Sequence, residues 1–336
     1  MDGSIHRVGC PNKLSSMREP PHKRLSTKPT QACFVKILRT MRTIRLGWTT
    51  SSPIRDYTES YKTQAFMKHP TAFDLDWLLG FIEADGTFSC TKTATGKVQT
   101  AFKITQKPTN IRALIACKKI IGAGQLTQDG QQAVYRIRKH HVLKTHLFPL
   151  LDQAHFNTQK YAAYQHLKHY VQDRVYTPFT PPQELGVPRW QERLDAPTWA
   201  HFLATGWLRS THAASVLSLG WLTGFIEGDG SFYIVKKGDG RYACGFGLTQ
   251  KHGFLLLSAI RSVLKIQAQV KRHSTAPDVW CLDTTSKGVA EHIAQTFQGC
   301  FKGRTALRFR LWVRALRSSQ DGVKLQKLQK LLRKVS

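Results

Sequence analysis

Two aspartates carry the chemistry most open to reading. Asp85 ends the pattern LDWLLGFIEADG, running from Leu75 to Gly86, and Asp229 ends LGWLTGFIEGDG, running from Leu219 to Gly230, 144 residues further on. Both patterns read as helices that stop at the glycine after the acid. A carboxylate at a helix C-terminus faces the negative end of the helix dipole, which costs about 0.3–1 kcal/mol. If the two helices lie side by side, the carboxylates also converge and repel. A bound divalent cation removes both costs, and hard oxygen donors from Asp and backbone carbonyls suit Mg²⁺. One such acid would serve equally well as a plain turn or surface residue, but two in register argue for a shared metal site between two similar halves. Glu83 and Glu227 precede the aspartates by two positions, so they point elsewhere on the helix, and a structural role is expected for them.

The elements that must bring these acids together repeat as well. Gly80 and Ala84, and Gly224 and Gly228, stand four apart, a small-residue stripe along which two helix backbones can approach. Glycine inside a helix costs roughly 1 kcal/mol against alanine, so its recurrence predicts close packing of one motif helix on the other. Downstream, FKITQK (Phe102–Lys107) and FGLTQK (Phe246–Lys251) match at the same offset, and Tyr135 and Trp280 sit in alternating runs at an offset of 145. In the first half, strand-like TFSCTKT and VQTAFKITQK are followed by a helix near Ile111–Ile121, by GQLTQ and AVYRIRK, and by a helix from about Val142. The second half repeats this order, so the fold class is α+β, an αββαββα unit occurring twice. The expected divisions are a basic N-terminal extension over 1–70, a first half over 71–170, a proline-rich linker over 171–214, a second half over 215–317 and a basic tail over 318–336. The linker is expected to hold one short helix, at Thr198–Arg209.

Charge narrows the function. The 336 residues carry 50 Lys and Arg against 21 Asp and Glu, a net charge of +29, which points to a polyanion and above all to nucleic acid. Seven cysteines without a CxxC spacing argue against a zinc ribbon or a disulfide scaffold and suit a reducing compartment. The longest clean apolar stretch, between His212 and Glu227, is too short to span a bilayer, so no membrane partner is expected. The first 70 residues hold 13 Lys and Arg and 4 acids, a composition shared by a transit peptide, a disordered basic arm and an in-frame leader.

Leu78-Leu79-Gly80-Phe81-Ile82-Glu83-Ala84-Asp85-Gly86 and Leu222-Thr223-Gly224-Phe225-Ile226-Glu227-Gly228-Asp229-Gly230 resemble the motif of the LAGLIDADG homing endonucleases. The resemblance runs from Phe73 to near Arg317 and, as a pair, is specific. It implies two pseudo-symmetric halves in a monomer, motif helices packed at the interface, and saddle-shaped antiparallel sheets over double-stranded DNA. It further implies cleavage of both strands across the minor groove by a metal-dependent phosphodiester hydrolase acting at a long, partly palindromic site. The metal ligands it implies are Asp85 and Asp229, with the carbonyls of Ala84 and Gly228. Gln106 and Gln250, each 21 residues after its Asp, match a polar residue beside the metals and the attacking water. A basic residue beside each site falls on Lys160 in the first half and on Lys302 or Arg304 in the second, with Lys302 preferred because it is a lysine. That asymmetry bears on whether both strands are cut equally. Genes of this family commonly lie in organellar introns, which implies a mitochondrion or chloroplast.

Sequence reading should fall to alternate strand residues, which share one face. The expected contacts are Lys92, Gln99, Lys103, Gln125, Arg136 and Arg138 in the first half, and Lys236, Arg241, Lys271, Arg272 and Thr284 in the second. The basic amphipathic end, VKLQKLQKLLRKVS, suits phosphates or solvent. An intron RNA maturase on the same fold, with the host intron RNA as partner, is the alternative, alone or combined with cleavage. The intact acids favour cleavage, since RNA binding does not need them.

Overall fold

The computed structural model describes residues 69–181, 189–318 and 321–335. The expectations for most of the first 70 residues therefore lie outside the described residues. Helix α1 spans Ala72–Asp85 and starts on a capping box. Thr71 Oγ1 accepts from the Asp74 amide, and Asp74 accepts from the Thr71 amide. Strands β1 (Gly86–Lys92) and β2 (Val98–Gln106), helix α2 (Ile111–Ile121), and strands β3 (Gln125–Asp129) and β4 (Gln132–Ile137) follow. Helical turns over His140–Val142 and Leu143–Leu147 lead into α3 (Phe148–Asp152), and α4 (Lys160–Asp173) closes the half. The sheet is antiparallel in the order β1-β2-β4-β3.

The second half repeats the plan with α7 (Leu219–Asp229), β5 (Gly230–Lys236), β6 (Tyr242–Lys251), α8 (Phe254–Val263), β7 (Lys271–Arg272), β8 (Val279–Thr284), α9 (Lys287–Thr296) and α10 (Thr305–Leu316). Its sheet order, β5-β6-β8-β7, is the same. The expected αββαββα duplication is therefore the fold. One correspondence shifts. Ile104 pairs with Tyr135 and Leu248 pairs with Leu282, so the counterpart of Tyr135 is Leu282, not Trp280. The alternating run continues through Trp280, and alternation alone does not choose among registers two residues apart.

Helices α1 and α7 form the joint between the halves. A Cβ on Gly80 would lie 1.9 Å from the Trp221 carbonyl oxygen, and one on Gly224 would lie 1.9 Å from the Trp77 carbonyl oxygen. The backbones touch where the small-residue stripe predicted. Both helices are buried nearly all round, because the partner helix covers one side and the sheets the other. Gly86 and Gly230 stop these helices for a different reason than a left-handed cap. Their φ values are −71° and −77°, ordinary extended backbone, and each starts a strand. A side chain at either would strike the Ile82 or Ile226 carbonyl at 2.6 or 2.5 Å.

The segment expected as a proline-rich linker is folded where it is described. Helix α4 extends into it, and α5 (Ala196–Thr205) and α6 (Ser210–Val216) replace the single helix expected at Thr198–Arg209. Asp195 caps α5, and Gly206, at φ +64°, ends it. Trp190 packs on Trp199 and Phe202 at 5.6 and 5.4 Å, and Leu208 and Val216 are buried. The Leu208 amide donates to Ser262 Oγ of α8 at 2.9 Å, tying the strap to the second half. Pro197 opens α5, where its missing N–H costs nothing, and the aromatic anchors around it were hidden by composition alone. At the other end, α11 (Gly322–Lys334) buries Leu325, Leu328 and Leu332. Gln329 Nε2 donates to the Ile234 carbonyl at 2.7 Å, so α11 shields the edge strand β5 and turns its lysines outward.

Candidate active site

The two motif helices end together. A Cβ on Gly228 would lie 2.6 Å from Asp85 Oδ2, which puts the Asp85 carboxylate against the backbone next to Asp229. Burial pushes the Asp229 carboxyl up to about 7, the neighbouring Asp85 charge adds to this, and Lys160 opposes it. Asp85 is also raised by burial, against a hydrogen bond from Gln106 and the charge of Lys160. Lys160 Nζ donates to the Ala84 carbonyl at 2.6 Å and the Ile82 carbonyl at 3.3 Å. Burial lowers the Lys160 ammonium, and attraction to Asp229, Asp85 and Glu83 holds it up. A cation thus already sits on a carbonyl expected to bind metal, beside two acids that repel one another. The donor set of two carboxylates and backbone carbonyls fits a hard divalent ion that keeps water and phosphate oxygens as its other ligands. No larger His, Cys, Asp and Glu cluster able to hold a metal occurs among the described residues.

Glu83 and Glu227 hold the site from beneath. Glu83 is fully buried; its oxygens accept from the amides of Asn157 (2.9 Å) and Thr158 (2.5 Å) and from Trp221 Nε1 across the joint (2.6 Å). Glu227 accepts from the amides of Lys302 (2.8 Å) and Gly303 (3.1 Å). Each glutamate clasps the loop that leads into the last helix of its half. Burial raises both carboxyls, and the amide bonds partly offset this. Glu83→Ala should cost about 2–4 kcal/mol, because it orphans two amides and an indole N–H together. Equilibrium denaturation checks this, and a loss below about 1 kcal/mol would show that the clasp is not holding the loop.

The glutamate clasps also correct the second basic position. Asn157 and Thr158 on Glu83 match Lys302 and Gly303 on Glu227, so Lys160 corresponds to Thr305. Both residues open their helices, and Thr305 Oγ1 donates to the Glu227 carbonyl at 3.1 Å where Lys160 reaches those of Ile82 and Ala84. Lys302 Nζ instead bonds Asp74 Oδ1 at 2.7 Å, at the far end of α1. The Arg304 guanidinium bonds Thr109 Oγ1 and the Lys334 carbonyl. Neither places its charge beside Asp229. Aligning the buried Phe156 with the buried Phe301 would have found Thr305, since the last helices are offset by 145 rather than 144.

The two glutamines are unequal. Gln106 Nε2 donates to Asp85 Oδ2 at 2.7 Å; Asn110 Nδ2 donates to Gln106 Oε1 at 2.7 Å; and the Arg304 amide donates to Asn110 Oδ1 at 2.7 Å. At the position of Asn110 the second half has Phe254, packed on Trp280 at 4.7 Å, so Gln250 lacks this relay. Gln250 lines a cavity with Lys160 and Gln159 of the first half. The site is therefore composite. Lys160 and Gln250 line one cavity across the joint, and on the other side Asn110, which holds Gln106, accepts from the Arg304 amide of the second half.

On the sheets, core residues such as Phe102, Ile104, Phe246 and Leu248 define the covered face. Gln99, Lys103, Gln125 and Arg136 fall on the opposite, open face of the first sheet, and Lys271 on that of the second. Arg138 lies just past β4 and is exposed. Lys92 and Lys236 share the parity of the core residues and sit exposed at hairpin ends. Arg241 is in a turn, ion-paired with Asp239. Arg272 lies over the Trp280 ring at 5.1 Å. Thr284 is buried beside the core, two residues from Leu282, so the alternation that selects a reading face excludes it. Reading strand composition missed Ser231, Tyr233 and Asp283, whose open-face placement appears only with the register.

Comparison with known proteins agrees with this geometry. The family model described as LAGLIDADG endonuclease matches residues 78–171. The probable intron-encoded endonuclease Cox1-I1b of Schizosaccharomyces pombe is 29% identical over 280 residues, covering 79% of this chain and 70% of the relative. The meganuclease I-SmaMI bound to uncleavable DNA superposes with a TM-score of 0.58 at 18% identity, covering 79% of this chain and 98% of that one. The LAGLIDADG homing endonuclease I-GzeII in complex with its DNA target gives 0.58 at 16% identity, covering 76% and 97%. Paired motif helices, duplicated sheets and a sequence relative of the same kind converge on one likeness: over residues 78–171 the chain matches the LAGLIDADG endonuclease family model, and over 79% of its length it is similar to an intron-encoded endonuclease.

Proposed function

We propose that this chain is a site-specific double-strand DNA endonuclease, encoded within an intron of a mitochondrial or chloroplast gene and acting as a monomer. The observation that carries this reading is the meeting of Asp85 and Asp229 at the ends of two helices whose backbones touch. Mg²⁺ or another divalent cation, held by Asp85, Asp229 and the Ala84 and Gly228 carbonyls, would supply Lewis-acid activation of the scissile phosphate and of water. The chain's own groups do the rest. The Lys160 ammonium offsets charge that develops on the phosphate. Gln250, free of the relay that holds Gln106, can orient a water on the side of Lys160. Gln106 fixes the Asp85 carboxylate through its own amide. Phosphate contacts from a chain of charge +29 supply much of the affinity, and the open faces of the sheets supply selection.

Because Lys160 has Thr305 as its counterpart, one composite site has an ammonium and the other has none. The test is a Mg²⁺ cleavage assay on a library of uninterrupted organellar gene junctions, with each strand end-labelled separately. The expected result is cutting at one sequence, with one strand cleaved about ten-fold or more faster than the other. Thr305→Lys should narrow that gap. Equal rates on both strands would remove the assigned role of Lys160. No cutting of any junction, together with tight binding to a host intron RNA, would replace the endonuclease by a maturase.

A further inference from the structure

The open face of the second sheet carries a carboxylate where the first sheet carries a cation. Lys103 faces Arg136 across β2 and β4, and at the same register Gly247 faces Asp283 across β6 and β8. Asp283 is the one acid in β5 to β8, and it is exposed. It is also held. Tyr233 Oη donates to Asp283 Oδ1 and Oδ2, each at 2.7 Å. The tyrosine lies across bare backbone, since a Cβ on Gly245 would come 2.1 Å from its ring, and a Cβ on Gly247 would come 3.0 Å from Asp283 Oδ2. Glycine weakens a strand interior, so two in one strand, one beneath each member of the pair, mark a place where backbone must be approached closely.

An acid on a surface meant for phosphates is unfavourable unless it has a donor to meet. We propose that Asp283, positioned by Tyr233, is a specificity-determining residue that accepts a hydrogen bond from the exocyclic N4 amine of one cytosine in the target. This rests on the endonuclease reading above. The choice of base follows from the major-groove edges. Guanine and thymine present acceptors there, which repel a carboxylate. Adenine presents an amine beside the N7 acceptor, whereas cytosine presents the amine alone. The Tyr233 hydroxyl occupies one side of the carboxylate, limits its rotation and leaves lone pairs on the outer side free for a base. Arg136 and Lys103, at the matching place in the first half, suit guanine acceptors instead, so the two half-sites are read by opposite chemistry.

Selection of bound duplexes from a randomised double-stranded DNA pool by the full chain, with Ca²⁺ present, tests this. Wild type should enrich a sequence in which one pair of one half-site is fixed as C·G. Asp283→Asn should lower the preference at that pair by about ten-fold or more and leave the other positions unchanged. Asp283→Arg should move the same position toward guanine, and Tyr233→Phe should blur it several-fold without weakening the rest of the motif. Circular dichroism melts of each variant establish folding, which the exposed position of Asp283 favours. If Asp283→Asn selects the wild-type motif unchanged, or weakens every position alike, the assignment is overturned while the endonuclease reading stands. If wild type enriches no sequence at all, the endonuclease reading itself falls.

Discussion

The Asp85→Asn/Asp229→Asn double variant should lose cleavage of both strands by about a thousand-fold or more, yet be more stable than wild type in metal-free buffer. The loss of rate follows from removing both carboxylates at the joint, since each amide keeps the shape but gives up the charge that binds a hard cation. The gain in stability follows from the same geometry. Asp229 is pushed up to about 7 by burial and by Asp85, so its ionised form is unfavourable in the folded state. A carboxyl raised on folding stabilises the fold at low pH, and that contribution disappears as pH rises through the folded value. The advantage of Asp229→Asn over wild type should therefore be small near pH 4, grow through about 7 and level off above it. At pH 8 it should reach about 1–3 kcal/mol, a rise of several degrees in Tm. Scanning calorimetry in EDTA from pH 5 to 8, beside the strand-specific assay, measures both. Retained cleavage in the double variant would remove these residues from the reaction. A variant less stable than wild type at pH 8 would mean that their burial is not strained.

Gly80→Ala should be one of the two most damaging single methyl additions among the described glycines. The added carbon would lie 1.9 Å from the Trp221 carbonyl oxygen, 2.8 Å from the Phe225 nitrogen and 2.8 Å from the Trp221 carbonyl carbon, all backbone atoms. None of these can turn aside as a flexible side chain would, so α1 and α7 must separate. Alanine returns about 1 kcal/mol of helix propensity, but overpacking alone usually costs about 1–3 kcal/mol, and here it also parts the joint beneath both acids. We expect a net loss of about 4 kcal/mol or more, with Gly224→Ala equivalent by the pseudo-symmetry, since its carbon would lie 1.9 Å from the Trp77 carbonyl oxygen. Urea denaturation of each variant decides it. A loss below about 1 kcal/mol would mean that the helices slide past one another without penalty. Ala84 offers a contrast, because it already fills the equivalent place against Gly228.

The helix pair is legible in the sequence because small residues four apart, kept in two copies despite the helix propensity that glycine gives up, require a close backbone neighbour. The strands are legible too: the two-residue alternation through Phe88–Cys90 and Phe102–Ile104 sets which face is covered. The same rule, applied strictly, places Thr284 with Leu282 on the covered face; a hydroxyl side chain suits a reading face by type, but parity decides. The basic positions fail for another reason. Equal spacing from Asp229 assumes equal loops, and the loops differ.

What the sequence determined by itself is whatever repeats locally: two motif helices, the acids at their ends, the αββαββα order and a charge that demands a polyanion. Helical and strand periods, small-residue stripes and caps depend on neighbours within a few residues, so one chain displays them. Only the tertiary structure decided which residues meet across the joint. The offset between the halves is 144 at the motif, 147 where Tyr135 corresponds to Leu282, and 145 where Lys160 corresponds to Thr305. Those shifts are absorbed in loops, where length is free, and they set both the strand register and which residues of the two halves meet around the acids. The folded strap at Trp190–Val216, the α11 cover over β5 and the Tyr233–Asp283 pair arise in the same way. Each joins residues far apart in sequence through packing or a single hydrogen bond, and no local period encodes such a meeting.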